Sequence, residues 1–559
     1  MRDRVEAVAG IAGQQFELCI IGGGATGAAC ALDAQLRGIR TVLLEAADFG
    51  AATSTASTKI IHGGVRYLEE AIRGADLKEY RVLVRALHER VRMLDNAPHL
   101  TRRLRFLVPS YSWISVLYLD IGLKIYDWLA GPGRIASSKF LSRDETLRRM
   151  PGVQPRGLKG AVAYYDGQFD DARYNLALVQ SFVQAGGSAL NYARVTDFVR
   201  EEKGRISGVL ATDHVSRKTF PVLAKAVVNA TGPFSDQVRR LATPTVGSRM
   251  RPSKGAHVLL PLQLFPSDEA MLIPKTEDGR VLFALPWSGR LLVGTTDEEV
   301  SPEAEMVVTS QDVDYILRQL NQYVSRPVTP DDVVSGFAGA RPLVSEGEKA
   351  ETKSLARDDV IEVDAASGLI SIMGGKWTTH RAMAEDTINR VQQVLGLAET
   401  PCRTGNHVLH GGEGFTQDYW QKLCREFAVP EATARHLTAK FGTAAEDVLA
   451  IARENPALSQ PIVAGYPAIR AEVIYAVRQE MAMTIEDVLA RRIGLQLYSW
   501  RDAMEAAPLV GGLMAAELGW DADFTRVAIG DYVAHIRHLL ESAGLTSQDG
   551  GSKNLGAQS

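Results

Sequence analysis

The sequence has little of several features that define common classes of protein. Its 559 residues include four cysteines, Cys19, Cys30, Cys402 and Cys424. These cysteines form no CxxC pair and no metal-ligand spacing, which favours free thiols in a reducing compartment and predicts no metal site. The 62 basic and 66 acidic residues leave a net charge of −4, so the composition does not favour nucleic acid as a partner.

Long apolar runs are also missing from the chain. No uncharged run reaches the roughly 18 residues of a membrane-spanning helix. The first fifteen residues contain no apolar leader segment. The length exceeds what one hydrophobic core usually supports, so we expect two or three domains.

The stretch from Phe16 to Glu45 carries the clearest pattern. It predicts, in order, a buried strand over 16–21, a GxGxxG turn made by Gly22, Gly24 and Gly27, a helix over 25–37 and a strand over 41–44. The glycines permit a tight turn, close approach of a pyrophosphate and close packing of the helix on the strand. Glu45 ends the second strand, where a carboxylate can accept hydrogen bonds from ribose hydroxyls. The pattern predicts a dinucleotide site, and a plain βαβ unit is the alternative.

Residues 50–70 follow directly and read GAATSTASTKIIHGGVRYLEE. This segment resembles the FAD-dependent glycerol-3-phosphate dehydrogenases, and the match is closest to the mitochondrial type. Further motifs in the family's order are YYDGQFDDAR (164–173), VVNATGPFSD (227–236), FALPW (283–287), VGTTD (293–297), GARPL (339–343) and GGKWTTHRAMAEDTINR (374–390). The resemblance extends from about Phe16 to about Tyr532.

The resemblance implies an α/β fold, α+β overall, with a Rossmann-like FAD-binding domain, an inserted mixed-sheet substrate domain and an all-α C-terminal domain. We expect an FAD domain of residues 1–72, 155–248 and 335–398, a substrate-binding and membrane-proximal domain of 73–154 and 249–334, a helical domain of 399–545 and a disordered tail of 546–559. Helical spacing of apolar residues after Pro401 independently favours the helical domain. The family's mitochondrial members carry a leader and a calcium-binding extension; we find neither pattern and expect a bacterial enzyme.

The resemblance also implies which residues contact FAD. They are Gly22, Gly24, Ala25, Thr26, Gly27 and Glu45 in the first unit; Thr53, Ser54, Ser57, Thr58, Lys59, His62, Gly63 and Gly64 in the next loop; Ala230, Thr231 and Gly232 after a third strand; and Gly375, Lys376, Trp377 and Thr378 at a second strand, glycine and helix turn.

Oxidation of a secondary alcohol needs a hydride acceptor, a base and a grip on the substrate, and a phosphate adds a need for cationic donors. The predicted substrate-binding residues are Arg66, Tyr67, Lys254, Arg341 and Lys376. His257 is the first candidate for the base and His62 the second, because the ordinary pKa of imidazole lies near working pH. Alternatively, Arg341 or Lys376 lowers the pKa of the substrate hydroxyl by binding the developing alkoxide. By its pattern alone, a single histidine at the start of an apolar strand is more often a core or edge residue, which is the alternative for His257.

The segment Phe106–Leu119 is uncharged and contains four aromatic residues. It is too short to span a bilayer and long enough for an interfacial segment, and burial in the core is the alternative. Candidate headgroup-level anchors are Trp113, Tyr118, Tyr126 and Trp128.

The resemblance implies a peripheral enzyme on the cytoplasmic face of a bacterial inner membrane. It would oxidise glycerol 3-phosphate to dihydroxyacetone phosphate in glycerol catabolism and pass electrons to ubiquinone or menaquinone in aerobic respiration. A glycerol-3-phosphate oxidase, an amine or hydroxy-acid oxidase using oxygen, and a flavin-binding sensor without turnover are the alternatives. The oligomeric state stays open, and a homodimer is one option.

Overall fold

The structure is a computed structural model that describes residues 4–64, 77–131, 135–345 and 359–545. Arg66 and Tyr67, which the sequence predicts as substrate-binding residues, lie outside the described residues, as does the predicted disordered tail of 546–559.

The strands of the described residues are numbered in chain order. They are β1 Gln15–Ile21, β2 Thr41–Leu44, β3 Ile60–Ile61, β4 Thr101–Ser110, β5 Lys139–Ser142, β6 Gly160–Phe169, β7 Ser188–Leu190, β8 Ala193–Arg200, β9 Ile206–Asp213, β10 Thr219–Asn229, β11 Ser253–Pro261, β12 Ala270–Ile273, β13 Leu282–Trp287, β14 Arg290–Gly294, β15 Glu298–Glu299, β16 Ser335–Arg341, β17 Asp359–Val363 and β18 Ile370–Gly374.

The α-helices of the described residues are Arg4–Ala9, Ala25–Leu36, Leu77–Asn96, Trp113–Ala130, Arg143–Arg149, Asp171–Gln184, Ser235–Ala242, Ser310–Leu320, His380–Leu395, Tyr419–Phe427, Glu431–Phe441, Ala445–Glu454, Ala471–Glu480, Leu495–Tyr498, Trp500–Leu518 and Ala522–Ser542. One π-helical turn, Asp487–Arg492, lies in the last third of the chain. Within the described ranges, no helix combines the length and the apolar character that crossing a membrane requires.

The first sheet has the order β17-β18-β10-β1-β2-β7. The strands from β18 to β7 in this order run parallel, with β17 antiparallel at one edge, and β8 and β9 form an antiparallel ribbon that continues from β10. Strand β1 is central and largely buried, which explains its continuous apolar run. The helix Ala25–Leu36 connects β1 to β2 and packs against the helices Asp171–Gln184 and His380–Leu395. The predicted Rossmann-like unit is therefore confirmed.

The second sheet is mixed and has the order β15-β11-β14-β13-β12-β4-β6-β3, with β16 on the other side of β11 and β5 beside β6. Only β12 and β4 pair in parallel among its described strand pairs. Strands β3, β6 and β16 belong to this sheet, although the predicted division assigns their residues to the FAD domain. Among the described strands the chain passes between the two sheets as often as that division assumes, but the crossings fall at other positions, after β2, β6, β10 and β16.

The predicted all-α C-terminal domain is also observed, from Tyr419 onward. Its helices share one apolar core with the second sheet. Leu260 and Leu291 of the sheet lie in the same cluster as Val488 and Trp500 of the helices. The helical domain is therefore packed as an integral part of the molecule.

Candidate active site

A cavity of about 610 Å³ lies between the two sheets. The first sheet contributes the ends of β1, β2, β10 and β18, which meet at one edge because these strands are parallel. The second sheet contributes residues of β11, β13 and β16. A crevice at the carboxyl ends of parallel strands is where open α/β sheets bind their ligands.

The glycine turn at the end of β1 fits a dinucleotide. Gly22 has a φ of +105°, and a Cβ there would lie 2.6 Å from the carbonyl oxygen of Ala230. A Cβ on Gly27 would lie 1.8 Å from the carbonyl oxygen of Gly22. Only glycine therefore allows the turn, the helix and β10 to approach so closely. The turn leads into the N-terminus of a helix, whose N–H groups and dipole favour a phosphate.

Glu45 stands at the end of β2 and lines the cavity. Its carboxylate accepts hydrogen bonds from the backbone N–H groups of Gly23 (2.6 Å) and Ala47 (2.8 Å). Burial raises the pKa of Glu45, and these backbone donors offset only part of that effect. The carboxylate holds the glycine turn and retains lone pairs with which a ribose hydroxyl could bond.

The loop after β2 is fixed from several directions. Trp377 donates from Nε1 to the carbonyl oxygen of Ser54 at 2.8 Å. Lys59 donates from Nζ to Asp171 at 2.5 Å and to the carbonyl oxygen of Thr55 at 2.8 Å. Asp171 also accepts from the hydroxyl of Ser57 at 2.7 Å. This buried carboxylate belongs to the motif at 164–173 but was not predicted as a site residue, and it sets the conformation of the loop.

Most predicted cofactor residues line the cavity. They are Gly22, Gly24, Ala25, Thr26, Glu45, Thr53, Ser54, Ser57, Thr58, His62, Ala230, Thr231, Gly232, Gly375, Lys376, Trp377 and Thr378. Four others, Gly27, Lys59, Gly63 and Gly64, are not among the lining residues. Lys59 is buried behind the loop against Asp171, and the N–H of Gly63 donates to the hydroxyl of Tyr126 at 3.0 Å.

His257 lies on β11 and is buried at the cavity wall. Its ring stacks on Phe337 with 4.8 Å between centroids, and Nε2 lies 3.0 Å from the Thr58 hydroxyl. Burial, together with the charges of Arg341 and Lys59, holds the pKa of His257 well below its usual value. The imidazole is therefore neutral at working pH and resists protonation.

His62, the other candidate base, follows β3 and lines the same cavity. Its backbone N–H donates to the hydroxyl of Thr378 at 3.2 Å, which ties it to the second glycine turn. His62 is half-buried, whereas His257 is fully buried. The cavity therefore has two imidazoles in unequal environments.

Arg341 ends β16 and lines the cavity with its guanidinium held in place. One terminal nitrogen lies 3.1 Å from Asp297, and the other donates to the hydroxyl of Thr295 and the carbonyl oxygen of Thr296, both at 2.9 Å. A Cβ on Gly255 would lie 2.4 Å from this guanidinium. The motif VGTTD (293–297) contains these three acceptors, although none was predicted as a site residue, and no motif contains Gly255.

Lys376 lines the cavity from the second glycine turn, whereas Lys254 does not line it. The ammonium of Lys254 is buried 2.9 Å from Asp312. Lys254 is thus engaged in a buried ion pair away from the cavity, which argues against the predicted role of this residue in substrate binding. The sequence around Lys254 does not predict this ion pair, because Asp312 lies 58 residues further along the chain.

The cavity also includes residues that sequence reasoning missed. Among these are Ala193, Arg194 and Val195 of β8, Gln237 of the helix after β10, and Phe283 of β13. Phe283 begins the motif FALPW (283–287) but was given no role, and the others carry no motif; they reach the cavity because β7 pairs with β2 and because the second sheet closes over the first.

Comparisons with known proteins agree with this geometry. Residues 17–381 match the family described as FAD dependent oxidoreductase, and residues 402–524 match the C-terminal domain of alpha-glycerophosphate oxidase. The fold and the cavity define an FAD-dependent oxidoreductase, and the predicted cofactor is confirmed.

Individual relatives identify the family within the FAD-dependent oxidoreductases. The chain is 39% identical over 518 residues to the mitochondrial glycerol-3-phosphate dehydrogenase of Bos taurus, covering 91% of this chain and 71% of the relative. It is 41% identical to the probable mitochondrial enzyme of Caenorhabditis elegans, covering 91% of this chain and 72% of the relative. The solved glycerol-3-phosphate dehydrogenase from Bacillus halodurans, in complex with FAD, is 31% identical, with a TM-score of 0.78 and 98% of both chains covered. The chain belongs to the family of FAD-dependent glycerol-3-phosphate dehydrogenases.

Proposed function

We propose that this enzyme oxidises sn-glycerol 3-phosphate to dihydroxyacetone phosphate in the cavity between the sheets and passes the electrons to ubiquinone or menaquinone. One observation carries the proposal. Two cationic side chains, Arg341 and Lys376, and the imidazole of His62 line the same cavity as the glycine turn that fits a dinucleotide.

The substrate must be bound and oriented in the cavity. A phosphate dianion is best matched by a planar guanidinium that donates two parallel hydrogen bonds. Arg341 is already oriented by Asp297 and by Thr295, so it pays little orientational entropy when an anion binds. Lys376 adds a second positive charge from the opposite sheet. These two residues bind the phosphate or the developing alkoxide.

A base must take the hydroxyl proton, and we propose His62 for this role ahead of His257. General bases work best with a pKa near the working pH. The depressed pKa of His257 makes its protonated form unfavourable, which argues for a supporting role of that ring. FAD, when bound, supplies the acceptor for the hydride.

The test is the absorbance of the flavin under anaerobic conditions. Adding glycerol 3-phosphate should bleach the flavin band, and a soluble quinone analogue should restore it. Glycerol at the same concentration should leave the band unchanged, because it offers no anion to Arg341 and Lys376. A bound flavin that glycerol 3-phosphate does not bleach would overturn the substrate assignment.

We also propose that the enzyme lies on the cytoplasmic face of a bacterial inner membrane through the helix Trp113–Ala130. Large apolar side chains on this helix are exposed, namely Trp113 (60%), Ile114 (82%), Leu117 (62%), Tyr118 (53%), Ile121 (52%) and Trp128 (76%). Their spacing of three and four residues gives one apolar face, which suits an interfacial helix. Trp113 also contacts Phe140 of β5, whose neighbour Lys139 is exposed and can attract anionic lipid.

Tyr126 does not belong to this face, contrary to the expectation that it serves as an anchor. It is buried, its hydroxyl donates to Asp166 at 3.1 Å, and it accepts from the N–H of Gly63. At 100° per residue, Tyr126 lies roughly 150° from the middle of the apolar face. Helical periodicity in the sequence therefore distinguishes the buried Tyr126 from the exposed Trp128.

Binding to vesicles that contain anionic lipid tests the membrane proposal. Replacing Ile114, Leu117 and Trp128 together by serine should reduce the sedimented fraction at least fivefold. Phe524→Ser is the matched control, because Phe524 is 54% exposed on a helix of the C-terminal domain. Equal sedimentation of the triple variant and the control would reject this surface.

A glycerol-3-phosphate oxidase is the second candidate. The match of residues 402–524 to the C-terminal domain of alpha-glycerophosphate oxidase favours it. The two functions share the substrate and differ in the electron acceptor. Stoichiometric release of hydrogen peroxide during turnover in air would identify the oxidase, whereas turnover that requires a quinone would identify the dehydrogenase.

A further inference from the structure

The helical C-terminal domain reaches the wall of the cofactor cavity through a buried cluster of charges. Asp48 is fully buried in the loop after β2, between the cavity-lining residues Ala47 and Gly50. The guanidinium of Arg492 donates to both carboxylate oxygens of Asp48, the second at 2.9 Å. Arg491 donates from Nε to the same carboxylate at 2.6 Å. Two arginines that lie more than 440 residues away in the chain thus bind one carboxylate of the loop.

The π-helical turn Asp487–Arg492 explains how two consecutive arginines reach the same point. In a regular α-helix, neighbouring side chains point about 100° apart. The wider turn brings Arg491 and Arg492 onto Asp48 together. Single π turns inside helices frequently occur at functional sites.

The same cluster holds a second part of the cavity wall. Asp487 accepts from the hydroxyl of Tyr192 at 2.8 Å, and Arg491 donates to Asp487 at 2.6 Å. The backbone N–H of Tyr192 donates to the carbonyl oxygen of Ala47 at 2.8 Å. Residues 193–195, which follow Tyr192, line the cavity. The cluster therefore contacts two segments at the cavity wall, the loop after β2 through Asp48 and the start of β8 through Tyr192.

The electrostatics favour a fixed loop. Burial alone would raise the pKa of Asp48, but Arg492 and Arg491 outweigh it and hold the pKa below its usual value. Asp48 is thus a stable carboxylate, and a buried carboxylate that lost its cationic partners would have to move or take up a proton. Any such movement would displace Ala47 and Gly50 at the cavity.

We propose that Arg491 and Arg492 of the C-terminal domain are positioning residues for the cofactor, because they fix the loop 45–54 in the conformation that FAD binds. The helical domain then has a role in holding the flavin, in addition to its share of the apolar core. Arg341 and Lys376 contact neither Asp48 nor Tyr192 in the hydrogen bonds described above, so the Michaelis constant for the substrate should not depend on the cluster.

The experiment measures the dissociation constant of FAD for the apoprotein by flavin fluorescence quenching, together with the melting temperature of the apoprotein. Arg492→Lys keeps the charge but removes the two-pronged contact, and Asp48→Asn removes the charge from the other side. Each should weaken FAD binding at least tenfold. At saturating FAD, each should leave the Michaelis constant for glycerol 3-phosphate within twofold of the unchanged enzyme.

Glu472→Gln is the matched control. Glu472 is as buried as Asp48, pairs with His436 at 2.9 Å and does not line the cavity. Its loss should lower the melting temperature of the apoprotein and leave the dissociation constant of FAD within twofold. The double variant Asp48→Asn/Arg492→Lys should weaken FAD little more than Asp48→Asn alone, because the contact that Arg492→Lys removes is already lost with the carboxylate.

A milder change covers the case in which the first two variants do not fold. Tyr192→Phe deletes one hydroxyl and its bond to Asp487, and it should weaken FAD about threefold. Folded variants of Arg492 or Asp48 that bind FAD within twofold of the unchanged apoprotein would overturn the proposal. If those variants do not fold, an unchanged dissociation constant in Tyr192→Phe would overturn it as well.

Discussion

Replacing Arg341 with lysine tests most directly whether this residue binds the substrate phosphate. Lysine keeps the positive charge but lacks the planar fork that donates two parallel hydrogen bonds. Arg341 is held at the cavity wall by Asp297, Thr295 and the carbonyl oxygen of Thr296, so its position is set before an anion arrives, and the anion competes with these acceptors for its donors. A hydrogen bond to a charged group contributes about 1.5–3 kcal/mol. Losing one such bond should lower kcat/KM by roughly 10- to 150-fold.

The assay is steady-state oxidation of glycerol 3-phosphate with a dye as electron acceptor, with the flavin content measured for each preparation. We expect the loss to fall mainly on KM, because the phosphate is bound in the ground state and in the transition state alike. Arg251→Lys is the control. Arg251 makes a comparable two-pronged pair with Glu299 at the exposed edge of the same sheet and does not line the cavity.

If Arg341→Lys keeps kcat/KM within threefold of the unchanged enzyme while its flavin content is full, the guanidinium does not bind the phosphate. A tenfold loss in the Arg251→Lys control would instead show that the whole sheet is sensitive to such changes.

Three further predictions concern the base, the cofactor turn and acid stability. His62→Asn should reduce kcat by roughly 10²- to 10⁴-fold with flavin retained, whereas His257→Asn should cost less, and equal losses in single-turnover flavin reduction would contradict the assignment. Gly27→Ala should abolish FAD retention, since its Cβ would lie 1.8 Å from a carbonyl oxygen, whereas Gly530→Ala meets nothing within 4 Å and should retain full flavin in the absorbance spectrum. Burial lowers the pKa of His99 from 6.5 to about 3, so its contribution to stability is present above pH 6.5 and is lost as the pH falls towards 3. His99→Gln should therefore reduce the slope of the unfolding free energy between pH 4 and 6.5 by about 1.4 kcal/mol per pH unit, measured by urea titration, and an unchanged slope would show that His99 is protonated in the folded protein.

Local patterns in the sequence determined the first βαβ unit almost residue by residue. The predicted strand over 16–21 is observed as Gln15–Ile21, the predicted helix over 25–37 as Ala25–Leu36, and the second strand as Thr41–Leu44. Such accuracy is possible because a buried parallel strand, a turn that only glycine can make and an Ala-rich helix are each specified by neighbouring residues. Helical spacing specified the C-terminal domain in the same way. The family, and with it FAD, followed from motifs that are continuous in the sequence.

Tertiary structure decided which charges meet, because their partners are distant in the sequence. Lys59 looked like a cofactor residue beside His62, and only the fold gives it Asp171, which lies 112 residues away. Lys254 looked like a substrate residue until Asp312 was found beside it. A buried charge needs a partner because leaving it unpaired is costly. Either a ligand or another side chain can be that partner. Sequence alone contains the charge, whereas the packing of the two sheets and the helical domain supplies its partner.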